Sequence, residues 1–217
     1  MNISLVGVTK NYSLDGQTTV TPVHNVTLNI QQGEFILLIG RSGSGKTTLL
    51  NLAAGLISPT SGKVLIDNVS LQDLPEKQLS LLRNHKIGFI FQFPSLLSSL
   101  TALENVALPV MFDSARGKRA GNARAANLLK MLGLGERMQA YPRQLSAGEQ
   151  KRVVIARSLV NEPEVLMADE PTSDLDERTE QGRSPSGRTH HRRDPGGFPS
   201  GHGRRDHQSG ADRDGDG

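Results

Sequence analysis

Gly40-Arg41-Ser42-Gly43-Ser44-Gly45-Lys46-Thr47-Thr48 decides how this chain is read. An apolar run, Glu34-Phe35-Ile36-Leu37-Leu38-Ile39-Gly40, leads into it, and Leu49-Leu50-Asn51-Leu52-Ala53-Ala54-Gly55 follows. The run predicts a buried strand of a parallel sheet, and the stretch after it predicts a helix. The glycines let the backbone curl so that its N–H groups converge, and a helix start adds positive potential at the same place. Strand, Gly-x4-Gly-Lys-Thr and helix together predict a phosphate-binding loop made by residues 40–48. In such a loop Lys46 reaches the β- and γ-phosphates of a nucleotide, and the Thr47 hydroxyl ligates Mg²⁺.

Two further stretches fit that chemistry. Val165-Leu166-Met167-Ala168 reads as a second buried strand, and it ends in Asp169-Glu170. A parallel strand delivers its last side chains to the same sheet edge as the phosphate loop. There Asp169 can hold Mg²⁺ through water, and Glu170 can polarise an attacking water. Leu145-Ser146-Ala147-Gly148-Glu149-Gln150-Lys151-Arg152 opens a helix. Ser146 and Glu149 have the spacing of a capping box, and a serine at a helix start is also an anion site.

Elsewhere the pattern divides in two. Ile3–Val8, Val26–Ile30, Val64–Asp67 and Ile87–Gln92 read as strands, with Ser13–Pro22 turn-like between the first two. From Leu100 to Arg157 the period becomes helical: Leu103, Val106, Ala107 and Val110 recur at helix spacing, Ala123–Leu132 is rich in Ala and Leu, and Gly148–Val160 is a third helix. The expected fold is therefore α/β: a phosphate-loop core with a parallel sheet, a small antiparallel N-terminal sheet, and a helical subdomain over about 95–157. The 217 residues contain no Cys, which excludes zinc ribbons, iron–sulfur clusters and disulfide scaffolds. No apolar run reaches the 18 residues of a membrane span, and the first residues lack a signal-peptide core. A net charge of +3 gives no footprint for nucleic acid.

Taken together, the phosphate loop, the Leu-Ser-x-Gly-Glu-Gln stretch and Asp169-Glu170, in that order, resemble the ATP-binding subunits of ABC transporters over residues 1 to about 180. Ile87-Gly88-Phe89-Ile90-Phe91-Gln92 and Leu103-Glu104-Asn105-Val106 look most like the branch serving lipoprotein release and macrolide export. The resemblance implies an ATPase that powers a transporter, with ATP and Mg²⁺ as cofactors and a transmembrane permease as partner. It implies a dimer of ATP-binding subunits at the cytoplasmic face of the membrane. Ser146 and Gly148 would face the nucleotide of the other subunit, and Asp174 and Asp176 would lie at that interface. Tyr12 would stack on adenine. Gln92 would sense Mg²⁺ and touch the membrane partner. The catalytic set is then Lys46, Gln92 and Glu170, and the metal set Thr47, Gln92 and Asp169. Two alternatives stand beside it. One is a soluble, non-transport ABC ATPase, against which only 100 residues separate Lys46 from Ser146, with no heptads. The other is a truncated, catalytically impaired remnant.

The remnant reading comes from the C-terminal composition. Residues 181–217 hold 9 Gly, 7 Arg, 5 Asp, 4 His and 3 Pro, with only Phe198 and Ala211 apolar, which predicts a disordered segment. His190 and His191 follow no apolar strand, so the family's switch histidine is not assigned to them. Read one nucleotide later, the codons of 190–194 are compatible with Thr/Ile-Thr/Ile-Val-Val-Thr. Those of 204–210 are compatible with Val-Val-Ile-Ile-Lys-Ala-Gly. The codon after the shifted Thr has the form C-N-G, which does not encode His. The segment is therefore expected to be out of frame, with the slip between about Arg178 and Gly187.

Overall fold

The computed structural model describes residues 1–15, 18–112 and 118–170, the side chains of Leu14 and of 118–120 excepted. Asp174, Asp176, His190, His191 and the whole of 181–217 lie outside the described residues.

Strands β1 (Ile3–Leu14) and β2 (Thr18–Ile30) form a long antiparallel hairpin. With β3 (Ser61–Ile66) and β4 (Val69–Ser70) they make a four-stranded sheet in the order β2-β1-β3-β4. Its alternation is that of a sheet with one buried face. Ile3, Leu5 and Val8 of β1 and Val64 and Ile66 of β3 point into one core, where Ile3 pairs with Ile66 and Leu5 with Val64. Helix α1 (Lys46–Ala53) closes that core with Leu52 and Ala53. Each large apolar side chain so buried contributes about 1.5–3 kcal/mol. The Ser13–Pro22 stretch, expected as a turn, is mostly strand: β1 runs to Leu14 and β2 starts at Thr18. Its Thr and Val residues suit a pleated ladder, and polarity on one side is what an open sheet face permits.

Helix α2 (Glu76–Lys86), none of whose residues is buried, leads into β5 (Ile87–Ile90). Strand β5 pairs in parallel with β6 (Val165–Ala168), Ile87 opposite Val165 and Ile90 opposite Ala168. A parallel pair needs a long crossover, and here it carries α3 (Ala102–Met111), α4 (Lys118–Met131) and α5 (Ala147–Leu159). Their apolar stripes meet in a second core of Val106, Val110, Leu129, Val153 and Ala156. Thr101 with Glu104, and Ser146 with Glu149, close complete capping boxes at the starts of α3 and α5. Gly88 lets β5 lie against α5, since a Cβ there would stand 2.4 Å from the Ser158 carbonyl oxygen.

One expectation fails. The run 34–40 is not a strand: it forms no ladder, and Phe35, Leu37 and Ile39 are 89%, 69% and 86% exposed. The parallel sheet among the described residues is β5–β6 alone, so it does not run around the phosphate loop. The physical reason is the lack of a neighbour. A strand apolar on both faces is held by ladders on both edges and helices on both sides. No described strand flanks 34–40, and β6 pairs on one edge only.

Candidate nucleotide-binding site

The phosphate loop keeps its shape without that strand because α1 and the β1–β2 hairpin hold it. Gly45 caps α1 in the left-handed region, at φ 88°, and a Cβ there would fall 2.1 Å from the Pro22 carbonyl oxygen. Only glycine tolerates both demands. Gly40 is set less tightly: a Cβ would meet the Ser44 hydroxyl oxygen at 2.5 Å, a side-chain atom that can turn away. The Lys46 ammonium folds back over the loop and donates to the carbonyls of Gly40 (2.9 Å) and Arg41 (3.1 Å). No side chain caps the start of α1, and no acidic residue lies in its first turn. Its free N–H groups and dipole therefore favour an anion.

Ser42, Gly43, Ser44, Gly45, Lys46, Thr47 and Thr48 line a cavity of about 260 Å³, closed on other sides by Pro22, Gln92 and Glu170. Gln92 follows β5 and Glu170 follows β6, so the parallel pairing brings them together. The Gln92 side-chain amide donates to the Glu170 carboxylate at 2.9 Å. Glu170 has φ 46°, a region costly for a residue with a Cβ. Asp169 is only 8% exposed, and its backbone N–H donates to the Ile90 carbonyl at 3.0 Å.

Other expected site residues lie apart from this cavity. Tyr12 is exposed on β1 opposite Val20, with the Lys10 ammonium 5.2 Å from its ring centre, and it does not line the cavity. Ser146 and Gly148 sit at the start of α5, on the helical core, and also lie outside the lining. The Ser146 backbone N–H donates to the Glu149 carboxylate at 2.8 Å, and the Ser146 hydroxyl accepts from the Glu149 N–H at 3.3 Å. The Ser146 backbone N–H foremost, and the Ser146 side chain after it, hold the Glu149 carboxyl below the usual range.

Two residues were invisible to sequence reasoning. Pro22 reaches the loop from a hairpin 23 positions before Gly45, and no local pattern marks it. Arg157 lies near the end of α5 and donates to the Ser95 carbonyl at 2.6 Å, three residues past Gln92. Burial lowers its pKa. A second cavity, of about 400 Å³, lies beside that contact and is bordered by Phe89, Phe91, Leu108, Phe112, Arg157 and Asn161.

The residues fit a nucleoside triphosphate: a loop with Gly45 where no Cβ could enter, a helix start left uncapped, and an ammonium within the cavity wall. A hydroxyl and carboxylates are the hard oxygen donors Mg²⁺ takes. Among the described residues no group of three or more His, Cys, Asp or Glu could hold a metal unaided.

Fold and site define a phosphate-loop nucleotide-binding protein. The sequence profile of the ABC transporter family matches residues 23–173. The chain is 48% identical to the ABC transporter ATP-binding protein MJ0796 of Methanocaldococcus jannaschii over 181 residues, 82% of this chain and 76% of that one. The solved dimer of MJ0796 bound to ADP and Pi superposes with a TM-score of 0.74 at 44% identity, covering 82% of this chain and 78% of the other. Lipoprotein-releasing system ATP-binding protein LolD 2 of Chlorobium chlorochromatii is 46% identical over 80% of this chain and 74% of its own length. Macrolide export ATP-binding/permease protein MacB of Mannheimia succiniciproducens is 46% identical over 81% of this chain and 27% of its own length. The chain belongs to the ABC transporter family: it is an ATP-binding, ATP-hydrolysing subunit nearest the lipoprotein-release and macrolide-export branch. These relatives favour a transporter ATPase over the remnant and the soluble, non-transport alternatives.

Proposed function

We propose that this subunit hydrolyses ATP in the cavity between residues 42–48 and the Gln92–Glu170 pair, and does so as a dimer against a membrane permease. The observation that carries this reading is the convergence on one cavity of the loop, Gln92 and Glu170, three segments far apart in sequence. Lys46 would leave the loop carbonyls for the β- and γ-phosphates, which offer a charged partner in place of two neutral ones. Thr47, Asp169 and Gln92 would hold Mg²⁺, which when bound neutralises charge on the phosphates. Glu170 orients and polarises the attacking water, and Gln92 fixes the Glu170 carboxylate by its hydrogen bond. Tyr12 would have to approach the nucleotide base from the outer face of β1.

Ser146 and Gly148 lie outside their own chain's cavity, and the related MJ0796 is dimeric with ADP and Pi. Both support a second copy presenting these residues across the nucleotide. The 400 Å³ cavity lined by Phe89, Phe91 and the exposed Phe112 supports docking of a permease segment. No helix among the described residues is long and apolar enough to cross a membrane. The likeness to LolD and MacB supports peripheral association with the membrane, at its cytoplasmic face.

Glu170→Gln tests the assignment. It should keep ATP binding, reduce turnover by at least about 100-fold, and accumulate an ATP-bound dimer on size exclusion. Turnover at the parental rate would place the base elsewhere.

A further inference from the structure

The open edges of the parallel sheet carry an inference about the gene as well as the protein. Strand β6 pairs with β5 on one side only, and Leu166 on it is 50% exposed. The run 34–40 leads to the same cavity as β6, since the loop after one and Glu170 after the other both line it. Yet the two share no ladder. An apolar run and a parallel strand that end at one cavity but do not pair leave room for a strand between them. The outer edge of 34–40 is free as well, so two strands are needed to pair every edge that this apolar run and β6 leave open.

We propose that the codons of residues 190–194 and 204–210, read one nucleotide later, encode two strands. One lies between β6 and residues 34–40, and the other closes the outer edge of 34–40. The chain itself favours this occupant over a foreign partner. Two shifted runs match two missing neighbours, and both are rich in the β-branched residues that parallel strands use. An extra nucleotide between about codons 178 and 187 produces the frame found here, and its removal restores the other.

The proposal commits to particular codons. Arg192, Arg193, Arg204 and Arg205 yield Val in the shifted frame only if each is CGT. CGA or CGG at these positions would put Asp, Glu or Gly in the strand centres. Sequencing the gene should therefore show CGT at all four, and CGA or CGG at two or more of them would overturn the proposal. The protein gives a second test. The chain as it stands should bind an apolar-surface dye such as ANS, with residues 35–39 open to hydrogen exchange. The chain made from the gene with one nucleotide removed should bind several-fold less dye and protect those amides. Equal dye binding and unprotected 35–39 amides in the frame-restored chain would overturn the proposal. So would protection of 35–39 already present in the original. Neither test depends on ATP hydrolysis, so loss of the ATPase assignment would leave this result interpretable.

Discussion

The helical core around α3, α4 and α5 is closed, whereas the core around the phosphate loop is open on one side. Val106, Leu129 and Val153 have no exposed surface, while Phe35 and Ile39, of similar apolarity, are almost wholly exposed. Apolarity is thus not what separates the two regions. Each helix makes its hydrogen bonds internally, and α3 and α5 start with their own capping boxes, so they need their neighbours only for packing. A parallel strand makes none of its hydrogen bonds internally. It stays a strand only where chain from elsewhere lies alongside, and residues 34–40 have none among the described residues.

The sharpest way to break this contrast is to remove apolar atoms from each side. Leu129→Ala should cost about 2–5 kcal/mol of stability, as deletions in a closed core do. Phe35→Ser should change stability by no more than about 0.5 kcal/mol, the range of surface substitutions. Denaturant titration of both variants measures the difference, and similar losses would mean that 34–40 is packed after all. A smaller effect probes the local wiring of α5. Ser146→Ala removes the hydroxyl that accepts from the Glu149 N–H and should cost about 1 kcal/mol. The smallest effect concerns pH. The Glu104 and Glu149 carboxyls are held below their usual value, foremost by the backbone N–H groups of Thr101 and Ser146. A carboxylate with a depressed folded pKa stabilises above its unfolded value of about 4.3 and loses that contribution as pH falls through the folded one. Helices α3 and α5 should therefore fray at their starts below about pH 4, and Glu149→Gln should remove that dependence for α5. An acid titration followed by NMR at the Ser146 and Glu149 amides checks it.

The same contrast explains what could be read from the sequence. The helices were legible because spacing and caps are local: Val106, Ala107 and Val110 fall on one buried face, and Ser146 with Glu149 closes the expected box. The phosphate loop was legible because its glycines answer a steric demand within nine residues. The strand at 34–40 was misread because its hydrophobicity says that it wants neighbours, not that it has them. Pro22 and Arg157 leave no signal because one meets the loop with its carbonyl and the other donates to the Ser95 carbonyl, and a backbone oxygen leaves no mark in the sequence. Tyr12 is given its adenine role by the family resemblance, through its position ahead of the loop. That position says nothing of which way β1 turns its side chain, and the ring lies under Lys10 outside the cavity.

Hydrogen exchange along the chain tests the central contrast most directly. The loop is held by α1 and Pro22, not by a strand at 34–40. The amides of residues 35–39 should therefore exchange nearly as fast as in an unstructured peptide, while those of Val153, Val154 and Leu129 exchange orders of magnitude more slowly. Protection of 35–39 equal to that of Val153 would contradict the account.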